Sequence, residues 1–365
     1  EKLFPNGLPY TVITVAGTNG KGSTVSFIDS IYRQSTYKVG RSTSPHLLKY
    51  NERYAIDGED VSDEVIINAF ELIETKREDI KLTYFEFSTL AAFIIFEKAE
   101  VDIAILEVGL GGRLDSVNVV DSDVSIITNI AIDHTDYLGD TREAIGREKA
   151  GVMRGSRPCI CGDQDPPQSL LAYAKEIGTD ITFVRKAYED DIGLEGDHQR
   201  LNAAVAIQAV ESLKEQHPIS FSMIIEGVKS ATIKARFEKI EIGEKTIILD
   251  VAHNPAAVKT LVDTLSKSSM QTVAIFSALI DKDIIEMVDL ASNAIKHWYL
   301  VPLTAERAIE SDALKNKFSN PDSTTICKDM NSAIQESLAY KEAERIVIFG
   351  SFYTIADASI IINEL

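Results

Sequence analysis

The chain has 365 residues, of which 37 are Lys or Arg and 56 are Asp or Glu, so its formal net charge is −19. This length suits two domains better than one, because single hydrophobic cores stop growing at roughly 250 to 300 residues. The content of 45% hydrophobic and 25% charged residues is that of an ordinary globular chain and excludes disorder as the main state. The acidic balance argues against a nucleic-acid partner, because such binding depends on clustered Lys and Arg.

The sequence shows no pattern of a membrane protein or of a secreted one. The longest apolar runs, such as 91–96, are far shorter than the roughly 18 residues that cross a bilayer, and no signal-peptide pattern is visible. We therefore expect a cytoplasmic protein that binds no membrane. Cys159, Cys161 and Cys327 have neither the spacing of a zinc site nor that of a redox pair, and we expect them to be reduced and structural.

In the first half of the chain, short apolar strands alternate with helical patterns. A strand is predicted at 10–16, a glycine-rich loop at 17–22 and a helix at 23–34. The alternation predicts a mostly parallel sheet of P-loop type with helices on both faces. Further strands are predicted at 102–107, 124–128, 158–161 and 181–184, and further helices at 85–98 and 142–151.

The alternation restarts near residue 243 and predicts a second, smaller, open α/β domain that is Rossmann-like. Its strands are predicted at 245–249, 272–276, 297–301, 324–327 and 345–349, and a helix at 255–266. The fold class is therefore α/β, with predicted domains 1–238 and 239–365. We place the linker, and a hinge between the domains, at 237–243.

A candidate phosphate loop, Gly17-Thr-Asn-Gly-Lys-Gly-Ser23, lies between the first predicted strand and helix. There, backbone amides and a helix N-terminus can converge on phosphate oxygens, with Lys21 directed to the β and γ phosphates and Ser23 to Mg²⁺. The spacing departs from the ordinary Walker A pattern, because two residues rather than four separate the first Gly from the Gly-Lys pair. A plain glycine-rich turn is the alternative, and the combination of strand, Lys, hydroxyl and helix disfavours it.

This loop resembles that of the Mur ligase superfamily, whose members use ATP to join a carboxylate to an amine. Further segments, in order along nearly the whole chain, resemble its folylpolyglutamate synthase and dihydrofolate synthase branch, and the pattern is most similar to the bifunctional bacterial type. These segments are Ser42-Thr-Ser-Pro-His-Leu47, Leu82-Thr-Tyr-Phe-Glu86, Leu106-Glu-Val-Gly-Leu-Gly-Gly-Arg-Leu-Asp115, Asp133-His-Thr-Asp136, Gly146-Arg-Glu-Lys-Ala-Gly151, Leu249-Asp-Val-Ala-His-Asn-Pro255 and Gly350-Ser-Phe-Tyr-Thr354.

The resemblance implies a monomeric ATP-dependent ligase with Mg²⁺ at two sites. It would add L-glutamate to dihydropteroate, making dihydrofolate, and to reduced folates, making folylpolyglutamates, through an acyl phosphate. Two alternatives within the superfamily stay open, a folylpolyglutamate synthase alone and another amino-acid ligase of Mur type. A nucleotide-dependent switch protein and a non-catalytic folate binder are the alternatives outside it.

By the same resemblance, the nucleotide is bound from both halves of the chain, with Lys21 and His253 acting on the phosphates. Ala235 departs from the family, which usually has Gly before the Arg-Phe pair, and predicts a local backbone change. The residues implied to bind ATP are Thr18, Asn19, Gly20, Lys21, Gly22, Ser23, Asn202, Arg236 and Asp250.

The implied metal ligands are Ser44, Glu107 and His134. Glu107 ends a predicted strand, which by itself places its carboxylate at the ligand-binding edge of an open α/β sheet. His is an uncommon magnesium ligand, so a histidine that only bonds within its loop is the alternative for His134. Lys149 is implied to be carbamylated and to help hold the second metal, whereas the plain alternative is an exposed helix lysine.

Two segments are implied to contact the pterin end of the substrate. Their alternative interpretations are a helix start with a capping residue and a polar turn. The residues are Thr83, Tyr84, Phe85 and Glu86 in the first segment and Leu114, Asp115 and Ser116 in the second.

Overall fold

The computed structural model describes residues 2–364 and divides the chain into two compact units. The first unit comprises the chain up to Leu194 together with His198–Thr232, and the second comprises Glu195–Asp197 and the chain from Ile233 onwards. The structure differs from the linker predicted at 237–243, because Glu238–Ile242 form a strand paired with Lys245–Leu249. The predicted boundary at 238/239 therefore falls inside a folded part of the second unit.

The first unit contains an eight-stranded sheet in the order β4-β3-β2-β5-β1-β6-β7-β8. The six strands β2-β5-β1-β6-β7-β8 are parallel to one another. At one edge, β3 pairs antiparallel with β2, and β4 pairs antiparallel with β3. The strands are β1 (Thr11–Ala16), β2 (Val39–Ser42), β3 (Tyr54–Ile56), β4 (Glu59–Asp60), β5 (Ile103–Glu107), β6 (Val124–Ile127), β7 (Pro158–Cys161) and β8 (Asp180–Phe183).

Helices cover both faces of this sheet. On one face, α2 and α3 pack around Phe93, Phe96 and Tyr54, and α5 and α6 pack around Ile145 and Leu170; Val12 and Ala16, which point the same way from β1, belong to these two clusters. The other face carries α1, which contacts β1, β2 and β5 and packs against α8. The helices are α1 (Lys21–Tyr32), α2 (Asp63–Arg77), α3 (Tyr84–Lys98), α4 (Thr135–Leu138), α5 (Arg142–Ala150), α6 (Gln168–Ile177), α7 (Asp197–Ser212) and α8 (Phe221–Ser230), with 3₁₀ turns at Tyr50–Arg53 and Ser116–Val119.

The central position of β1 organises the unit. β1 lies between β5 and β6, with Val15 opposite Glu107 and Ala16 opposite Ile127. The carboxyl ends of these three strands are therefore neighbours, and the loops that follow them meet at one edge. Ligands of open α/β sheets bind at this edge.

The second unit contains a six-stranded sheet in the order β13-β12-β11-β14-β10-β9, in which only β9 is antiparallel. Its core packs Phe276, Trp298 and Phe349 in aromatic contact. The elements are β9 (Glu238–Ile242), β10 (Lys245–Leu249), α9 (Pro255–Leu265), β11 (Thr272–Phe276), α10 (Ile284–Ala291), β12 (His297–Leu300), α11 (Ser311–Lys315), β13 (Thr324–Ile326), α12 (Met330–Ala339), β14 (Arg345–Phe349) and α13 (Phe352–Ile362), with a 3₁₀ turn at Pro321–Ser323.

The α/β architecture predicted from the sequence is confirmed in both units. The three cysteines are buried and unpaired. Among residues 2–364, no helix has both the length and the apolar character that a membrane span requires.

Candidate active site

The glycine-rich segment after β1 folds as a loop that leads directly into α1, as predicted. Gly17 has φ 149° and Gly20 has φ 82°, and α1 begins at Lys21. A Cβ on Gly17 would lie 1.8 Å from Oγ1 of Thr128, the residue that follows β6, so only glycine fits there without displacement. The loop is therefore pressed against the neighbouring strand, with its amides at the start of a helix.

The segment after β6 fixes the loop through several hydrogen bonds. The Thr18 amide donates to the Asn129 carbonyl at 2.9 Å, and the Asn19 amide donates to Asn129 Oδ1 at 2.9 Å. The Thr128 hydroxyl donates to the Asn19 carbonyl at 2.6 Å. Thr128 and Asn129 were missed in the sequence, where the only signal is their position directly after a strand that neighbours β1.

The ends of the loop place the residues implied to act on phosphates. Lys21 Nζ donates to the carbonyls of Gly17 and Thr18, at 3.2 Å each. Gly22 and Ser23 lie in the first turn of α1, and Ser23 is buried. Asn202 of α7 packs on the same loop, because a Cβ on Gly20 would lie 2.7 Å from Asn202 Oδ1. The structure thus gathers Thr18 to Ser23 and Asn202, while their contact with ATP stays a prediction.

Lys149 is buried, with 4% exposure, so the alternative of an exposed helix lysine is excluded. Its Nζ donates to the Gly17 carbonyl at 2.8 Å, the same oxygen that accepts from Lys21. Desolvation, followed by the charge of Lys21, lowers the pKa of Lys149 from 10.5 to about 7, against the opposing carboxylates of Asp133 and Asp115. A neutral amine is therefore accessible near neutral pH beside the phosphate loop.

Glu107 and Ser44, two of the implied metal ligands, lie together. Glu107 ends β5 and is 7% exposed, and its Oε2 accepts a hydrogen bond from the Ser44 amide at 3.2 Å. The pairing of Val15 with Glu107 brings this carboxylate beside the phosphate loop. A buried carboxylate next to a hydroxyl residue is a hard oxygen donor set that fits a magnesium ion.

His134 directly precedes α4 and has the left-handed conformation, with φ 52° and ψ 43°. Its Nε2 lies 4.0 Å from Oδ2 of Asp133. Within residues 2–364, no group of three or more His, Cys, Asp or Glu side chains gathers in a metal-binding arrangement. Glu107 and the Ser44 amide are in direct contact, and the coordination by His134 stays a prediction.

Arg142 at the start of α5 holds the segment that leads to Asp133 and His134. Its guanidinium donates to the Ile130 carbonyl at 3.0 Å and to Asp163 Oδ1 at 3.0 Å. The Ile130 amide in turn donates to Asp163 Oδ2 at 2.6 Å. Nothing in the sequence pattern indicated this arrangement, because it depends on the contact of three separate segments.

In the first predicted substrate segment, two residues have a structural role. The Thr83 hydroxyl and the Glu86 carboxylate form a capping box at the start of α3, which lowers the pKa of Glu86. Phe85 packs against Gly109, since a Cβ there would lie 2.5 Å from the ring. Tyr84 is 61% exposed and is available to a ligand.

The second substrate segment is also partly structural. Asp115 accepts hydrogen bonds from the amides of Leu110 and Val117 at 2.9 Å each, while burial raises its pKa. The Ser116 hydroxyl bonds to Thr89 at 2.6 Å, which ties this segment to α3. Leu114 is 79% exposed. Exposed apolar side chains at Tyr84 and Leu114 can contact an aromatic ligand, and substrate contact by all seven residues stays a prediction.

In the second unit, Asp250 follows β10 and binds the backbone around it. It accepts from the amides of Phe237 and Ala252 at 2.9 and 2.8 Å, and burial raises its pKa while Arg236 opposes that shift. The guanidinium of Arg236 lies 5.4 Å from the centre of the Phe352 ring. The His253 ring lies 6.0 Å from the same ring, and its Nδ1 is 2.7 Å from the Val251 carbonyl.

Ala235 has φ 57°, in the left-handed region that glycine favours. The chain therefore keeps at this position a backbone conformation suited to the glycine of the family pattern, although the residue is alanine. Its amide donates to Glu238 Oε2 at 2.7 Å. We attribute the tolerated strain to this bond and to the bond from the Val251 amide to the Ala235 carbonyl.

Comparison with known proteins places the chain in a family. Residues 15–161 match the Mur ligase middle domain, and residues 235–352 match the Mur ligase glutamate ligase domain. The chain is 35% identical to the dihydrofolate synthase/folylpolyglutamate synthase of Escherichia coli K12, over 96% of this chain and 86% of that protein. It is 38% identical to the protein of that name from Buchnera aphidicola subsp. Acyrthosiphon pisum, over 95% and 88%.

Solved structures agree with this placement. E. coli FolC in complex with ADP, without folate substrate, superposes with a TM-score of 0.93 at 34% identity, covering all of this chain and 92% of that chain. A bifunctional folylpolyglutamate synthase/dihydrofolate synthase with Mn, AMPPNP and L-glutamate bound gives 0.90 at 37% identity, covering 98% and 90%. The chain belongs to the dihydrofolate synthase/folylpolyglutamate synthase family of the Mur ligases, and it is an ATP-dependent glutamate ligase.

Proposed function

We propose that this ligase uses Mg²⁺ and ATP to join L-glutamate both to dihydropteroate and to reduced folates. The observation that carries the proposal is the edge where β1, β5 and β6 end, because the phosphate loop, Glu107 and Lys149 meet there. The relatives support the choice of ligands, since E. coli FolC has been solved with DHPP and ADP and a further relative with Mn, AMPPNP and L-glutamate.

The residues of this edge would divide the work of phosphoryl transfer. The loop amides and Lys21 would bind the phosphates, and Lys21 would exchange the carbonyls that it now contacts for phosphate oxygens. Glu107 and Ser44 would hold the magnesium ion, which neutralises developing charge on the transferred phosphoryl group when bound. A substrate carboxylate attacks the γ phosphate to give an acyl phosphate and ADP, and the amine of L-glutamate then displaces phosphate.

Carbamylation of Lys149 is part of the proposal. The ammonium would first lose a proton, and the neutral amine would attack carbon dioxide, forming a C–N bond and releasing a second proton, so that the side chain ends as an anionic carbamate. Burial and a pKa near 7 supply the neutral amine that this reaction needs. The product would lie close enough to the phosphate loop to help hold a second divalent ion.

Measurement of glutamate-dependent ADP release, with dihydropteroate and with a reduced folate in separate assays, tests the proposed function. We expect turnover of both substrates, and loss of both in Lys21→Ala. Turnover of only one would reduce the function to a single synthase. Turnover of neither, by a folded enzyme that binds ATP, would favour another amino-acid ligase of Mur type.

Other expectations from the sequence stay predictions. They are the roles of Arg236, Asp250 and His253 at the nucleotide, the two metal sites, the monomeric state and the cytoplasmic location. Sedimentation of the purified protein would test the monomeric state directly.

A further inference from the structure

Arg53 is a buried arginine in the segment that carries Ser44. It ends the 3₁₀ turn Tyr50–Arg53 and is 8% exposed. Its carbonyl accepts a hydrogen bond from the Thr43 amide at 3.1 Å, which ties it to the residue before Ser44. Neither the phosphate loop nor the contacts of Glu107 described above involve this guanidinium.

Among residues 2–364, no carboxylate pairs with the guanidinium of Arg53. Its Nε donates to His46 Nδ1 at 2.8 Å, and within residues 2–364 the guanidinium makes no other hydrogen bond. The neighbouring Glu52 carboxylate accepts instead from the amides of Leu47, Leu48 and Lys49, at 2.6, 3.1 and 3.1 Å. A positive charge that is mostly buried without an anion is costly, so such a group indicates an anion supplied from outside the chain.

Aromatic rings hold the guanidinium in a fixed position. Its central carbon lies 5.4 Å from the centre of the Tyr50 ring and 5.5 Å from that of Tyr84. Tyr50 is itself fixed, since its hydroxyl bonds to Tyr54 at 3.0 Å and to Ser88 at 2.6 Å. The two terminal nitrogens have no partner in residues 2–364 and are not sealed from solvent, so they remain open to a ligand.

The position of Arg53 indicates which anion it binds. Its guanidinium contacts the ring of Tyr84, an exposed residue of the predicted substrate segment. Its backbone is bonded to Thr43, and the next residue, Ser44, donates its amide to the Glu107 carboxylate. A reduced folate ends in a glutamate with two carboxylates, of which the γ carboxylate reacts, whereas dihydropteroate has a single, reacting carboxylate. A planar guanidinium with two open nitrogens matches a carboxylate in bidentate geometry.

We propose that Arg53 binds the α carboxylate of the terminal glutamate of a reduced folate, and so determines specificity for folates over dihydropteroate. An interaction with the reacting carboxylate is disfavoured, since pairing with a guanidinium would withdraw charge from the nucleophile. The inference rests on the proposed function, because it presumes that substrates of both kinds reach this site.

The test compares kcat/KM of wild type and Arg53→Gln for three substrates. These are a reduced folate, dihydropteroate, and a reduced folate analogue in which γ-aminobutyrate replaces glutamate, so that only the α carboxylate is absent. We expect Arg53→Gln to lower kcat/KM about 10- to 100-fold for the folate, as for a charged hydrogen bond lost, and at most about 3-fold for dihydropteroate. The wild type should prefer the folate over the analogue by a similar factor, and the variant should show no preference.

The ratio between folate and analogue makes the test independent of general damage to the loop. If the variant keeps the wild-type ratio, or if the wild type has a ratio near one, the inference is wrong. An equal loss for the folate and dihydropteroate would assign Arg53 to the reacting carboxylate and would also overturn it. A wild type that does not turn over dihydropteroate would refute the proposed dual function and would leave the analogue comparison to decide on Arg53.

Arg157→Gln is the matched control. Arg157 precedes β7, at the amino end of the strands, and pairs with Asp123 at 2.9 Å. This substitution removes an arginine of the same unit from the opposite edge of the sheet. We expect unchanged ratios among the three substrates.

Discussion

The buried amine of Lys149 gives a prediction that needs neither substrate nor metal. Its pKa is lowered from 10.5 to about 7, so the folded protein binds fewer protons at this site than the unfolded chain between these two values. The free energy of unfolding therefore rises with pH between these two pKa values. Below the lower value, Lys149 is protonated in both states and adds no pH dependence. At about 1.4 kcal/mol per pH unit, the contribution amounts to roughly 4 to 5 kcal/mol over the full window, as an upper bound.

Lys149→Met removes the titrating amine and keeps a side chain of similar length. The assay is urea unfolding of wild type and variant in carbonate-free buffer at pH 7.5 and 9.5. We expect the difference in unfolding free energy, wild type minus variant, to rise by about 2 to 3 kcal/mol between these pH values. Loss of the bond from Lys149 Nζ to the Gly17 carbonyl changes the unfolding free energy of the variant by the same amount at both pH values. The change of the difference with pH therefore reports the titration of the amine alone.

Parallel behaviour of the two proteins, within about 0.5 kcal/mol, would refute a lowered pKa and with it the physical basis for carbamylation. The carbamate itself is detected by ¹³C NMR after addition of ¹³C-bicarbonate. A carbamate resonance should be present in the wild type and absent in Lys149→Met.

Three further substitutions test the site and its support. Glu107→Gln removes the anionic oxygen donor, so it should lower activity by at least about 100-fold and weaken the dependence of activity on Mg²⁺ concentration. The circular dichroism spectrum should be unchanged, and an unaltered magnesium titration would contradict this role. Gly17→Ala should destabilise the protein by about 1 to 3 kcal/mol, since its Cβ would lie 1.8 Å from the Thr128 hydroxyl. It should also abolish ADP binding, measured by calorimetry; normal ADP affinity would show that the loop can move. Thr83→Ala should cost about 1 kcal/mol by chemical denaturation through loss of the capping box, and Thr83→Ser should keep that stability; an equal loss in both would exclude the cap as its cause.

The alternation of strands and helices was predictable because the strands are buried on both faces and therefore appear as continuous apolar runs. Residues 158–161, 245–249, 272–276 and 345–349 were predicted with the observed bounds. The strands β2, β3 and β4 were missed. β2 contains Gly40, Arg41 and Ser42 and lacks an apolar run, and its last two residues are only partly buried.

The environment of single side chains was less predictable than the elements. Lys149 follows Arg147 and Glu148 on a polar helix, and its burial depends on contact with a loop that is distant in sequence. The interpretation of Thr83 and Glu86 was easier, because a capping box is a local pattern that the sequence itself contains. Arg53 gave no signal, since the absence of an ion pair becomes visible only when its neighbours are placed.

The strand order has a consequence for how each unit is made. In the first unit, β1 acquires its two neighbours only when residues 103–107 and 124–127 are available. In the second, β14 is inserted between β11 and β10 and is formed by residues 345–349. A chain emerging from the ribosome can therefore assemble neither central strand early, and the phosphate loop receives its final shape only after more than a hundred residues have followed it.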